Sequence, residues 1–546
     1  MLAASRSHPG SDMFRQDGFL IHSAAPPEAG LAFDGYAFAG ADFIVGEAGL
    51  RDWQAAGHGP LPWHCDGVYI LMRQAEGQIG VSSDAAGYRH LFYYAEDGHW
   101  AVGESFIALV EHLRAQGLPL TEDKAHSAAF LSRKQLFQQL TTRHTPVREI
   151  RLLGRDERIE IADSRLQVRR EARKAGADYP AALADFLNTW LSRFMTLQAR
   201  PERRLFFHLS GGVDSRAVSA FYVYLRDRFG LSDRVTLRSL DDPAHTEDHR
   251  VVTQLAEALN LGVNDLPMRP VIPLSAEASL ALWKRHSAGA YSPVRLPRRR
   301  FDPRDLHITG HGGGGYKRPL TARETKAFLD RMRQAYGYFG HGDRARWMAD
   351  FEAELADLGQ QVSDSGDIYN LFGRVSRSRF HSGQAATYKT QISPFDSLLA
   401  EAAADARPPE ARLRLQFHYD VLASLAPALL ELPFDDPRKS PGADNLAALT
   451  RVEGLAPRPG AVYGAFTVPE AEEVDETDPL RVLAEEVRAN LGDLPKARVT
   501  WLFRWRLNRI LRGIARGRRA DPVTLRHLHA AWLLIRLRQA GVTPDA

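Results

Sequence analysis

The sequence predicts an α/β protein: a strand-rich amino-terminal part, a central doubly wound parallel sheet, and a helical carboxy-terminal extension. Three observations lead there. From about Asp178 onward, short apolar runs alternate with helical patterns at the spacing of βαβ units. Before that point, β-prone runs are separated by turn signals such as Glu76-Gly77 and Asp97-Gly98. Beyond about Leu480 the pattern is helical and rich in arginine. At 546 residues the chain is long enough for several sizeable cores. Boundaries are expected at 1–175, 176–455, 456–480 and 481–546.

Taken in order, the stretch Met1–Gly10 lacks the apolar core of a signal peptide and reads as a frayed tail. Val68-Tyr69-Ile70-Leu71-Met72, Gly80-Val81-Ser82 and Leu91-Phe92-Tyr93-Tyr94 read as strands. A helix is expected over Ala181–Thr196, then a buried strand at Leu205-Phe206-Phe207-His208-Leu209 and a helix beginning at Arg216. A second strand is expected at Val235–Arg238. A helix over His249–Leu261 follows, with Val251, Val252, Leu255 and Leu259 at helical spacing. A third apolar run, Leu306-His307-Ile308-Thr309, enters a glycine-rich loop. The Pro- and Glu-rich stretch 456–478 reads as a linker or mobile loop. Near the end, Arg509, Arg512, Arg516 and Arg519 share one helix face, opposite Leu507, Leu511 and Ile514. The plain expectation for that face is solvation beside acidic neighbours; the alternative is an anionic partner, a phosphate-bearing carrier or a membrane surface.

Composition narrows the function. A single cysteine, Cys65, excludes an internal disulfide and suits the cytoplasm. No apolar run reaches the length of a transmembrane segment. A net charge of +3 is too small to imply nucleic acid.

The chemistry concentrates in Ser210-Gly211-Gly212-Val213-Asp214-Ser215, between a strand end and a helix start. The glycines let the main chain approach a phosphate, and the serine hydroxyls and helix N-terminal amides point donors at it. Asp214 supplies a carboxylate suited to Mg²⁺ beside that phosphate. A Walker-type loop is excluded, because no Gly-Lys-Ser/Thr follows. A second candidate is Thr309-Gly310-His311-Gly312-Gly313-Gly314-Gly315-Tyr316-Lys317-Arg318, whose successive amides can form an anion nest. It fits Gly-x-Gly-x-x-Gly by letter, but Pro319 and the basic residues do not continue as a helix, so a dinucleotide site is set aside.

The hexapeptide resembles the pyrophosphatase-loop motif of the asparagine synthetase superfamily, whose members cleave ATP between the α- and β-phosphates. The resemblance implies a site for ATP at Leu209, Ser210, Gly211, Gly212, Asp214 and Ser215, with Asp214 on Mg²⁺. It implies adenine recognition by the main chain of the second strand at Leu237-Arg238-Ser239, and a binding role for Asp248 at the next helix start. It implies pyrophosphate on the second loop at Gly310, His311, Gly312, Gly313 and Lys317. Pro437-Arg438-Lys439-Ser440-Pro441-Gly442 stands where that family has a catalytic lysine, so Lys439 is one catalytic candidate. Lys389, beside the region Ser393-Pro394-Phe395-Asp396-Ser397 that resembles the family's Pro-Phe-Leu-Asp stretch, is the other.

The chain also departs from that family. Its second loop carries no acidic residue to help hold Mg²⁺; Asp302 or Asp305, just upstream, could compensate, and the sequence assigns only Asp214 to the metal. Thr390 and Gln391 stand where a glutamate is usual. In the first 175 residues, Cys65–Tyr69, Asp84–Tyr93 and Gly103–Leu109 resemble the family's glutaminase-like sandwich of the Ntn type. A working glutaminase needs an amino-terminal cysteine, and here Leu2 follows Met1. The amine is therefore expected from a substrate or from ammonia, as in β-lactam synthetases and lasso-peptide cyclases. Arg216 resembles the residue found in polysaccharide-pathway amidotransferases, which points to a sugar acid. The expectation is an ATP-dependent, AMP-forming amide ligase acting on a small-molecule or peptide carboxylate and an amine donor, without nucleic acid, and a possible homodimer. Two alternatives stand beside it: a catalytically silent nucleotide binder, and an ATP pyrophosphatase acting on a tRNA base.

Overall fold

Alternating apolar residues in the first 170 positions build two antiparallel sheets. In one, the order is Phe14–Arg15, Gly18–His22, His99–Gly103, Phe92–Glu96 and Ile150–Leu152. In the other it is Arg165–Arg170, Glu157–Ala162, Gln78–Ser83, Asp66–Ala75, Leu31–Ala39 and Asp42–Val45, with Val462–Tyr463 added in parallel at the edge. The structure is a computed structural model. It describes residues 14–15, 18–27, 30–75, 77–132, 134, 137–171, 178–240, 246–316, 318, 320–359, 368–408, 411–470, 477–518 and 521–545. The two sheets face each other across one core, to which Phe19, Ile21, Trp100 and Val102 come from the first and Ile70, Met72, Val81 and Ile159 from the second. The helix Phe106–Ala115 covers the outer face of the first sheet. The helix Gly46–Ala55 covers the second, with Leu50 and Trp53 packed on Leu71 and Tyr69.

The central region is a four-stranded parallel sheet in the order Val235–Arg238, Arg204–His208, Asp305–Ile308, Thr390–Ile392. An isolated parallel bridge, Leu237 to Val263, extends its outer edge. The chain therefore winds outward from Arg204–His208, turns back across it, and resumes at Asp305–Ile308. That reversal opens a crevice at the carboxyl ends of these two neighbouring strands, the place where open α/β sheets bind ligands. The helices Val213–Arg228 and Thr246–Leu259 follow the first two strands. Their Ala217, Phe221, Val251 and Leu255 pack with Leu205, Phe207, Leu306 and Ile308 in the largest core. The returning segment, with the helix Ala276–His286, passes over the opposite face.

The stretch 456–480 was expected to be a linker, and its first part is instead a strap. Main-chain amides of Ala456, Arg458 and Gly460 donate to Asn188 Oδ1 (2.9 Å), Ser192 Oγ (2.9 Å) and Thr196 Oγ1 (2.8 Å). Alternate residues of an extended chain are ~6.6 Å apart, close to the ~6 Å between residues four apart on a helix. A polar ladder on the helix Tyr179–Gln198 thus matches the strap's period, and composition alone did not reveal that match.

The carboxy-terminal helices Pro479–Ala489, Trp501–Ala515 and Pro522–Gln539 join the core that covers the first sheet; Leu483, Leu507 and Trp532 meet Phe106 and Trp283 there. Leu507, Leu511 and Ile514 are buried, and Arg509, Arg512 and Arg516 are exposed. Arg519 lies outside the described residues. No described helix is long and apolar enough to cross a membrane.

Candidate functional site

The first loop is held by its own serines. Ser210 donates its amide to Ser215 Oγ at 3.0 Å, the two hydroxyls lie 2.8 Å apart, and Gly212 donates its amide to Ser210 Oγ at 3.3 Å. Ser215 reaches back from the first turn of the helix Val213–Arg228, whose N-cap, Gly212, offers no side chain. An uncapped helix start presents its first amides to whatever lies in front of it.

Acidic and basic groups converge on that loop from distant parts of the chain. Gly211 donates its amide to Asp248 Oδ1 at 2.9 Å. Asp435 donates its amide to the Gly211 carbonyl at 3.1 Å, and Lys439 Nζ bonds Asp435 Oδ2 at 2.6 Å. A Cβ on Gly211 would stand 2.6 Å from that of Asp435, and one on Gly212 would stand 3.9 Å from Lys439 Nζ. The structure thus brings Asp248 and Lys439 to the loop.

The second loop lies directly on the first. A Cβ on Gly310 would be 2.7 Å from the Asp214 carbonyl carbon, and one on Gly313 would be 2.7 Å from the Asp214 carboxylate. Gly312 adopts φ +89°, with Asp396 so close that a Cβ would sit 2.6 Å from its main-chain nitrogen. Only glycine tolerates these approaches. Asp214 Oδ1 lies 3.0 Å from Nε2 of the fully buried His418, and the carboxylate stays half exposed. His311 Nδ1 accepts from the Gln391 amide at 2.9 Å; burial, with Lys389 and His381 adding repulsion, pushes His311 down to about 3, so it is neutral. Lys317 lies outside the described residues.

The amino-terminal sheets buttress this arrangement. The Tyr88 hydroxyl donates to Asp396 Oδ2, and the Tyr36 hydroxyl donates to the Gln391 carbonyl. Asp66 pairs with Arg193 at 2.7 Å and accepts from the Leu398 amide at 2.9 Å. Burial pushes Asp396 up to about 6. Cys65 is buried, and burial pushes its thiol up to about 12, which leaves it a packed thiol rather than a nucleophile.

Two expectations meet a different arrangement. Ser239 donates its amide to Asn264 Oδ1 at 3.1 Å, and its carbonyl accepts from Asn264 Nδ2 at 3.2 Å. The Leu237 carbonyl accepts from the Asn264 amide at 2.9 Å, and its side chain is fully buried. The Asn264 amide therefore engages the main-chain edge at which a base was expected. Asp302 and Asp305 do not replace the missing acid of the second loop. They pair with Arg304 and Arg269, and Asp305 opens its strand, at the far end from both loops.

Sequence reading missed Asp435 and His418. Asp435 stands just before the Pro437-Arg438-Lys439 run, and an acid so near a candidate loop lysine was the available signal. His418 lies inside the helix Gln416–Leu425, with no local pattern to mark it.

Beside the loops, across the second face of the sheet, runs a cavity of about 710 Å³. His208 and His307 line it from the strands and Lys389 from just ahead of the edge strand; Arg238, Arg295 and Arg299 add charge, and among the described residues no carboxylate lines it. Burial pushes Lys389 down to about 8. His208 Nε2 and His307 Nδ1 lie 3.0 Å apart; burial, with the nearby Lys389 charge, pushes His208 down to about 3. Lys389 lines this cavity, whereas Lys439 stands at the first loop.

A second group, Asp123, His126 and His144, has potential ligand atoms within 4.8 Å of one another. Its two imidazoles stack at 4.6 Å and 14°, so their in-plane lone pairs run side by side instead of converging on one ion. Asp123 is committed to the amides of Ala125 and His126 and to Arg346. This group is a helix-docking cluster.

No family model and no curated protein matches the sequence. Solved structures to which the chain is similar include one titled the allosteric regulatory enzyme of purine biosynthesis, at 11% identity and TM-score 0.16, over 57% of this chain and 58% of that one. Another is the glutamine phosphoribosylpyrophosphate amidotransferase from B. subtilis complexed with ADP and GMP, at 11% identity and TM-score 0.16, over 59% and 62%. The chain spans less than two thirds of either, and a likeness so slight bears on neither substrate nor activity.

Proposed function

We propose that this protein is an AMP-forming amide ligase of the asparagine synthetase type, with a glutaminase-like sandwich that serves as a buttress. The observation that carries the reading is the interlock of the two loops at the sheet's reversal, with Asp214, Asp248, Asp435 and Lys439 gathered around them. The uncapped helix start and the stapled serines suit the β- and γ-phosphates of ATP. Asp214, half exposed at the junction of the two loops, suits Mg²⁺, which when bound would offset phosphate charge. The cation-lined cavity suits the nucleoside end of ATP together with an anionic acceptor.

In the proposed reaction an oxygen of the substrate carboxylate attacks the α-phosphorus, the bond to the β-phosphate bridging oxygen breaks, and pyrophosphate leaves. An amine nitrogen then attacks the acyl carbon, AMP departs with the bonding electrons, and the nitrogen loses its proton to solvent. Lys439 stabilises charge growing at the phosphates, and Lys389 holds the acceptor's carboxylate. The chain's only cysteine is buried with a raised thiol pKa, which argues against glutamine as the nitrogen source.

The test is exchange of labelled pyrophosphate into ATP with sugar-acid and peptide carboxylates. Exchange with at least one acceptor, lost by about a hundredfold or more in Asp214→Ala, is the expected result. Exchange at the wild-type rate in Asp214→Ala would overturn the site. One observation favours the silent-binder reading: Asn264 already engages the main chain of Ser239. ATP binding by calorimetry without exchange for any acceptor would establish that reading instead.

A further inference from the structure

We propose that the outer face of the helix Trp501–Ala515 docks the protein onto an anionic lipid bilayer. The helix buries Phe503, Leu507, Ile510, Leu511 and Ile514 in the molecule. At about 100° per residue, Trp501, Trp505, Arg509, Arg512 and Arg516 fall within an arc of about 80°, centred opposite that buried stripe. They form one outward line roughly 22 Å long. Trp501 is 77% exposed and Trp505 49%. Tyr338, also exposed, stands beside the helix start, where Thr500 donates its amide to the Phe339 carbonyl at 3.0 Å.

Charge and shape both favour a bilayer. No Asp or Glu stands between Asp493 and Asp521, a stretch holding Lys496 and eight arginines. Among the described residues, Arg504, Arg506, Arg509, Arg512, Arg516 and Arg518 form no ion pair, so the acidic neighbours of a merely solvated face are absent. Indole rings lodge at the headgroup level, where the ring is apolar and its N–H stays wet, and guanidinium groups bond the adjacent lipid phosphates. A single strand of nucleic acid is gripped in a groove that tracks its backbone; this stripe lies on the side of its helix turned away from the molecule. Each basic side chain near an anionic surface adds to the attraction, and the two indoles supply the apolar anchor. The active region lies elsewhere, at the parallel sheet, so this attachment is independent of the proposed ligase chemistry.

The experiment is flotation of the full-length protein with vesicles of phosphatidylcholine alone or with roughly a third phosphatidylglycerol. Wild type should float with the anionic vesicles and not with the neutral ones. Binding should fall by about tenfold or more in Trp501→Ala/Trp505→Ala and vanish in Arg509→Glu/Arg512→Glu/Arg516→Glu. All five side chains point outward, so the melting temperature of each variant should match wild type and serve as the folding control. Should a variant unfold, the salt series decides: wild-type binding lost at about 0.5 M salt supports the proposal, and binding that persists there overturns it. Equal flotation with neutral vesicles overturns it, as does no flotation. RNA retention or dimerisation that the same substitutions abolish, in the absence of vesicle binding, assigns the face to those partners and overturns it too.

Discussion

On one face of the parallel sheet, Leu205, Phe207, Leu306 and Ile308 lie buried against helices. On the other, the alternate residues His208 and His307, with Lys389 just ahead of the edge strand, look into a cavity. Both faces come from the same strands and differ only in the parity of the residue number. The first face follows the rule that a strand in a parallel sheet is apolar on both sides. The second breaks it at the carboxyl ends, next to the two loops. Buried polar groups held neutral or weakened in charge by burial are costly, and their gathering there supports the ligand site proposed above.

The sharpest way to break this comparison is to truncate one residue on each face. Phe207→Ala should lower stability by about 3–5 kcal/mol in urea unfolding, through a cavity in the main core. His208→Asn, one position on, should cost about 1 kcal/mol or less, while weakening anion binding. Equal losses would mean that the second face is ordinary core.

A smaller effect separates two glycines of the second loop. Gly312→Ala places a methyl at φ +89° against Asp396 and should cost about 1–3 kcal/mol, and pyrophosphate exchange should fall with it. A Cβ at Gly314 meets nothing within 4 Å, so Gly314→Ala should stay within about 0.5 kcal/mol of wild type. A Gly314→Ala variant as unstable as Gly312→Ala would show that the loop needs glycine for some reason other than contact with Asp396.

Much of this architecture was legible in the chain. The strand at 205–208, the strand at 235–238, the helix after Ser210 and the run at 306–308 all announce themselves through local periodicity and turn residues. So does the first loop, because its serines and glycines act on each other within six residues. What stayed hidden depends on contacts between distant positions. Asp435 reaches Gly211, Tyr88 reaches Asp396, and Asn264 reaches Ser239 through folding alone. The strap at 456–460 was obscured for the same reason: its partners Asn188, Ser192 and Thr196 lie far back in the sequence. Exposure of Trp501 and Trp505 was equally unreadable, since tryptophan in an amphipathic helix is usually buried.

The last prediction lies on the cavity face and concerns Lys389. Burial holds it down to about 8, from 10.5 in the unfolded chain, while the neighbouring His208 is already neutral well below pH 7. The unfolded chain therefore binds the extra proton between about pH 8 and 10.5, so this lysine makes stability rise with pH across that window. Anion binding runs the other way, because the charge that attracts the ligand disappears as pH passes 8. Affinity for sulfate, whose own charge is constant in this range, should fall about tenfold between pH 7 and pH 9 by calorimetry. Lys389→Met should bind sulfate more weakly at pH 7 and show no fall, since the side chain whose charge changes in this window is gone. A wild-type affinity that is flat from pH 7 to 9 would remove Lys389 from the cavity's ligand and leave the arginines as its only cations.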